Sequence, residues 1–317
     1  MLKVISFLLL TFFKFNLLQS ESTDSFAFIT NQESNKLDII NLKTRTKVDE
    51  IEIGLNPAGI SLNKKKGIIF TSNPGSNNIS EFTRSNNVIN KIKSGKSPLG
   101  LFYSINKKLV VSNWYDNQIT IIDTSNKKII KEVDVGKSPA GVYLSENNTK
   151  IFVANREDNN VTVLDSENFK FIRNITVEKA PFGVFSNEDI DFLVVTNVQS
   201  NSISIIDKKS LEIIKNIKVG KWPYYAAFDN NKKKLYVTNQ RSDSISVIDM
   251  NTYKNIKTLD DICEYPEGID ISYNENLLVV ACWFEDNIIL LDLDSLEEIK
   301  RIQTSGGPRA FGNFILE

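Results

Sequence analysis

Apolar and polar positions along this chain fall into short blocks, and the blocks repeat. An apolar run ending in a small polar residue occurs at 26–31 (FAFITN), 67–73 (GIIFTSN), 108–113 (KLVVSN) and 150–155 (KIFVAN). It returns at 192–197 (FLVVTN), 234–239 (KLYVTN) and 277–282 (LLVVAC). The closing residues are Asn31, Asn73, Asn113, Asn155, Asn197, Asn239 and Cys282, at spacings of 42, 40, 42, 42, 42 and 43. Four positions after each stands Asn35, Asn77, Asn117, Asn159, Asn201, Asp243 or Asp286. Prolines recur in step at 57, 98, 139, 181, 223, 266 and 308, and only Pro74 lies outside that series. Three coincident series of seven are not chance, and a self-similar period near 42 residues is the mark of a repeat architecture.

Each unit reads as four short strands. In the unit that opens at Pro223, YYAAF is followed by a polar turn (NNKK), then KLYVT, NQRSD, SISVID, MNTYK and a last strand near 255–259. The strands are rich in Ile, Val, Phe and Tyr; the turns are rich in Asn, Asp, Ser and Lys. Several strands are nearly continuously apolar, as expected of sheets covered on both faces. The predicted fold is all-β, a seven-bladed β-propeller of four-stranded blades. The first unit begins on a second-type strand at Phe26, and Pro308 is followed by a lone first-type strand, RAFGNFILE. The C-terminus is therefore expected to supply the innermost strand of the first blade and shut the ring.

The recurring residues read as structural. The Asn ending each second strand is expected to take the left-handed turn into the third strand and to pin blades together. The proline fixes φ where the innermost strand begins. Gly59, Gly100, Gly141, Gly183 and Gly268, two positions later, allow close approach near the axis; Tyr225 and Ala310 replace them in two units.

KLYVTN, SISVID and GKWP, repeated at this period, resemble the YVTN family of β-propeller repeat proteins, the YncE-like group, over residues 23–317. The resemblance implies a seven-bladed protein that is secreted, periplasmic or on the cell surface. Of activity it implies no more than that some members bind ligands or DNA.

Residues 1–22 read as an export segment preceding the propeller at 23–317. Lys3 supplies the positive start, residues 4–13 an apolar stretch, and Ser20 and Ser22 small residues for cleavage. An uncleaved anchor is the alternative; the run is short for a span, which takes roughly 20 apolar residues, so the mature protein is expected to have no transmembrane segment. Composition narrows the chemistry. The 317 residues carry 38 Lys and Arg against 39 Asp and Glu, a formal charge of -1, and no histidine. Nucleic-acid binding is disfavoured by that balance, although lysines with interleaved aromatics keep single strands open as a partner class. His-dependent metal, haem and triad chemistry is removed. No cofactor is expected, and a monomer is.

Strand alternation places the second-to-third turns and the connections between blades on one face. That face collects Lys96, Lys137, Lys179 and Lys221, each two positions before a proline, with Trp114, Arg156, Trp222, Arg241, Trp283 and Arg309. Clustered aromatics and cations suit a flat or anionic ligand. Cys263 and Cys282 are expected on that rim too, either paired in an oxidising compartment or as two separate thiols. The expected function is a non-catalytic scaffold for a protein or small-molecule ligand. The alternative is an extracytoplasmic hydrolase or lactonase with an Asp/Glu-based site at the central mouth.

Overall fold

The computed structural model describes residues 24–317 except 85, 105, 146 and 148. The expected export segment, 1–22, lies outside the described residues. The described chain forms seven four-stranded antiparallel sheets. Blade 4 is typical, with strands Pro139–Ser145, Lys150–Asn155, Asn160–Asp165 and Phe171–Thr176 in that spatial order. The two middle strands of each blade are almost wholly buried, whereas the fourth is largely exposed; Phe171–Thr176 keeps only Ile175 inside. Among the described residues no helix is long and apolar enough to cross a membrane.

Blade 1 is closed as the repeat phase requires. Ile315–Leu316 pairs antiparallel with Phe26–Asn31, matching Leu316 to Phe26 and Ile315 to Ala27. The closing strand does not run straight. Pro308 bridges Asn31, but Phe311 crosses to bridge Gly59 of blade 2. Gly312, at φ 142, then returns the chain to Phe28, a backbone geometry that glycine tolerates. Both oxygens of Asp270 serve backbone donors; Oδ2 accepts from Phe314 N at 2.8 Å and Ile315 N at 3.0 Å.

The ring is held by three recurrent contacts, and here one expectation is corrected. The Asn ending each second strand is not left-handed; Asn73, Asn197 and Asn239 have φ of -124, -106 and -121. Its amide braces its own hairpin, as Asn155 does toward Asn160 and Thr162, both at 2.7 Å. The left-handed residue stands four positions later: Asn35, Asn77, Asn117, Asn159, Asn201, Asp243 and Asp286 all have φ between 49 and 62. Each of these side chains crosses to the next blade. Its Oδ1 accepts the N–H of the residue before the next proline, Asn56, Ser97, Ser138, Ala180, Trp222, Tyr265 and Gly307 in turn, at 2.7–3.1 Å. Bracing the hairpin and pinning the blades are thus divided between two residues.

The second contact is a hydroxyl relay nearer the axis. Ser112 accepts from Gly100 N at 2.9 Å and donates to Ala140 O of blade 4 at 2.5 Å. Thr30, Ser72, Thr196 and Thr238 repeat the donation to Ala58, Leu99, Tyr224 and Glu267. The third contact is steric. A Cβ on Gly100 would lie 2.3 Å from Ala140 O, and one on Gly268 the same distance from Ala310 O. The neighbouring backbone occupies the space a side chain would need.

Cys263 and Cys282 are joined by a disulfide across a Cα separation of 5.8 Å. Their columns explain the placement. In four other blades a glycine three positions before the proline (Gly54, Gly95, Gly136 and Gly220) packs on the strand-ending Asn; a Cβ on Gly95 would sit 2.5 Å from Asn113. In blade 7 the glycine column holds Cys263 and the asparagine column holds Cys282.

Candidate ligand-binding site

Each innermost strand begins Pro-X-Gly or a variant, and the residue X is delivered to the hub. The seven are Ala58, Leu99, Ala140, Phe182, Tyr224, Glu267 and Arg309. Ala58, Leu99, Ala140, Phe182 and Tyr224 belong to one apolar cluster. Ala58, Leu99 and Ala140 thus fill one side of the hub, and Phe, Tyr, Glu and Arg the other. Over that second side opens a cavity of about 350 Å³ lined by Trp114, Arg156, Phe182, Val198, Trp222, Tyr224, Gln240 and Arg309.

Phe311 of the closing strand lies beneath it, with ring centroids 5.1 Å from Phe182, 5.3 Å from Tyr224 and 5.4 Å from Tyr225. Trp114 packs edge-on against Phe182 at 6.2 Å. These spacings fall in the favourable range for aromatic pairs, so the base of the cavity is packed rather than open.

The polar side is built on Glu267, 2% exposed. Its Oε2 accepts from Arg309 Nε at 2.8 Å, and its Oε1 from Gln240 Nε2 at 2.7 Å. Arg309 Nη2 also donates to the Tyr224 hydroxyl at 2.6 Å. Burial pushes the Glu267 carboxyl up from its usual range, against the pull of the Arg309 charge and the donors around it. Burial opposes the Arg309 charge as well, but Glu267 and Tyr224 together outweigh it and hold the guanidinium above its ordinary value. Desolvation likewise pushes the Tyr224 hydroxyl up, which keeps it protonated.

Of the residues expected from the sequence, Trp114, Arg156, Trp222 and Arg309 meet at this cavity. Arg156 lies over Trp114 at 5.9 Å, and Arg241 stacks over Trp222 at 3.4 Å from the exposed surface. Trp283 stands at the same end of blade 7 but packs with Tyr265 and Phe284, at 6.1 and 4.6 Å, away from the lining. Lys96, Lys137, Lys179 and Lys221 do not line the cavity; all four are exposed. Their backbone N–H groups are the ordered part, donating to Asp116, Asp158, Ser200 and Ser242 of the adjacent turns. The structure adds Phe182, Val198, Gln240 and Glu267 to the residues expected from the sequence. The column between Pro and Gly pointed to Phe182 and Glu267; Val198 and Gln240 share the column directly after the strand-ending Asn with Trp114 and Arg156.

No family model matches the chain, and no curated protein does. Among solved structures, hydrazine synthase of Kuenenia stuttgartiensis is similar at a TM-score of 0.75 and 16% identity, over 85% of this chain and 92% of that one. A functionally unknown protein from Desulfotomaculum acetoxidans matches at 0.78 and 12%, over 91% and 99%. Apo AztD from Citrobacter koseri matches at 0.69 and 13%, over 93% and 97%. At these identities the likeness speaks to fold alone, and with the seven sheets it makes this chain a seven-bladed β-propeller.

Proposed function

We propose that the protein is an exported binding scaffold of the YVTN, YncE-like kind, and that its ligand is a small planar molecule held at the mouth cavity. The observation that carries this is the cavity's composition: four aromatic side chains from blades 3, 5 and 6 converge on about 350 Å³ with two arginines at the edge. Ligand pockets are typically concave, mostly apolar and furnished with a few placed polar groups. Holding, rather than turnover, is supported by how carboxylates at this end are used. Asp243 and Asp286 accept backbone N–H groups, and both oxygens of Glu267 are taken by Gln240 and Arg309. Export is supported by the Lys3 and apolar 4–13 pattern, and by the disulfide, which persists in oxidising compartments.

A thermal-shift screen of planar small molecules on the full chain tests the reading. Stabilising compounds are expected to lose at least about tenfold in affinity, roughly 1.4 kcal/mol, with Trp222→Ala or Trp114→Ala. A screen with no stabilising compound, or compounds indifferent to both replacements, overturns it.

A further inference from the structure

We propose that the mouth cavity selects an aromatic monocarboxylate, and that Glu267 sets the charge it accepts by cancelling Arg309. This rests on the binding reading above and adds the chemical class of the ligand. Two cations line the cavity, Arg156 and Arg309. Arg309 is spent: its Nε is 2.8 Å from Glu267 Oε2 and its Nη2 is 2.6 Å from the Tyr224 hydroxyl. Both Glu267 oxygens receive donors, from Arg309 and from Gln240, which is the pattern of a carboxylate rather than a carboxylic acid.

Arg156 is differently placed. It is half-buried, it lies over the Trp114 ring, and among the described residues it forms no ion pair with a carboxylate. The lining therefore carries one uncompensated positive charge. Arg241 and the four lysines are exposed, where salt screens them. A guanidinium presents paired donors matched to a carboxylate. The rings of Trp114, Phe182, Trp222 and Tyr224 offer faces and edges to a flat body, and the volume suits one or two fused rings. A dianion would find only one unspent cation in the lining, and a neutral ring would leave Arg156 unanswered.

The test is calorimetric titration of the full chain with naphthalene-2-carboxylate, naphthalene-2-carboxamide and naphthalene-2,6-dicarboxylate, which share a ring system and differ in charge. The monocarboxylate is expected to bind at least about tenfold more tightly than the amide, as a charged hydrogen bond gives. The dicarboxylate is expected to gain no more than about twofold, the statistical factor for two equivalent ends. Arg156→Gln is expected to level acid and amide while the amide still binds. Glu267→Gln releases Arg309 and is expected to favour the dicarboxylate. Should that variant fold poorly, Glu267→Gln with Arg309→Gln removes the pair as a neutral unit, and the preference for the monocarboxylate is expected to persist. Equal affinity of acid and amide for the wild type overturns the charge assignment and leaves the binding reading standing. Binding of all three that ignores Trp114→Ala and Trp222→Ala overturns the site itself.

Discussion

Phe26 and Leu316 are cross-strand partners, although one opens the described propeller and the other all but ends it. The residues that deliver Leu316 are buried: Phe311 is 2% exposed, and Phe314 and Ile315 are fully enclosed. Each is worth roughly 1.5–3 kcal/mol of burial, against a total stability of about 5–15 kcal/mol. Deleting residues 309–317 is expected to abolish cooperative thermal unfolding. A truncated chain whose circular-dichroism melt matches the full chain would show that closure contributes nothing.

Gly100 is a steric requirement. With Ala140 O only 2.3 Å from the position of a Cβ, Gly100→Ala is expected to force blades 3 and 4 apart and to cost about 1–3 kcal/mol or more, the usual range for overpacking. Ser112→Ala, which leaves Ala140 O and Gly100 N without their relay, is expected to cost about 1–3 kcal/mol by loss of a buried partner. Urea midpoints of the two variants measure both effects.

Reduction of the disulfide is expected to destabilise blade 7. A loop of 19 residues corresponds to about 3 kcal/mol in the chain-entropy account. The Cys263→Gly, Cys282→Asn variant installs the pair that four other blades use and is expected to recover part of that loss. Melting with and without reductant, for wild type and variant, separates the two contributions.

Glu50 gives a pH signature. Hydrogen bonds from Lys36, Lys47 and Ser305 hold its carboxyl down to about 2, below the roughly 4.3 of a free glutamate. The folded state thus favours the ionised form. That contribution is present above about pH 4.3 and is lost as the pH falls toward 2. Glu50→Gln is expected to be less stable than wild type at pH 6, with the difference shrinking steadily to pH 2. The site is on the surface, so added salt is expected to shrink it too.

The blades, their number and their closure were legible because they are periodic. The series from Asn31 to Cys282 sets the period, and the mismatched phases at Phe26 and Pro308 show how the ends must meet. The roles inside the period were harder to read. Asn155 and Asn159 look interchangeable in sequence, yet only Asn159 takes left-handed backbone and reaches the next blade. The four lysines repeat in consecutive blades, but what the repeat conserves there is a backbone N–H bonded to the adjacent turn, and the side chains stay exposed. Glu267 is hidden for the opposite reason: the column from Ala58 to Arg309 changes at every blade, so no periodic signal marks it. Arg309 stands out by its charge, while its neutraliser, forty-two positions earlier in the preceding column entry, carries no such mark.

The pairing of Phe26 with Leu316 also governs timing. The first blade to emerge from the ribosome is a three-stranded sheet with a raw edge, and no local partner can finish it. Contacts between such distant positions form late. A polypeptide arranged this way stays incomplete until its closing strand is made, so the wheel hardens into its working shape only once that last piece arrives.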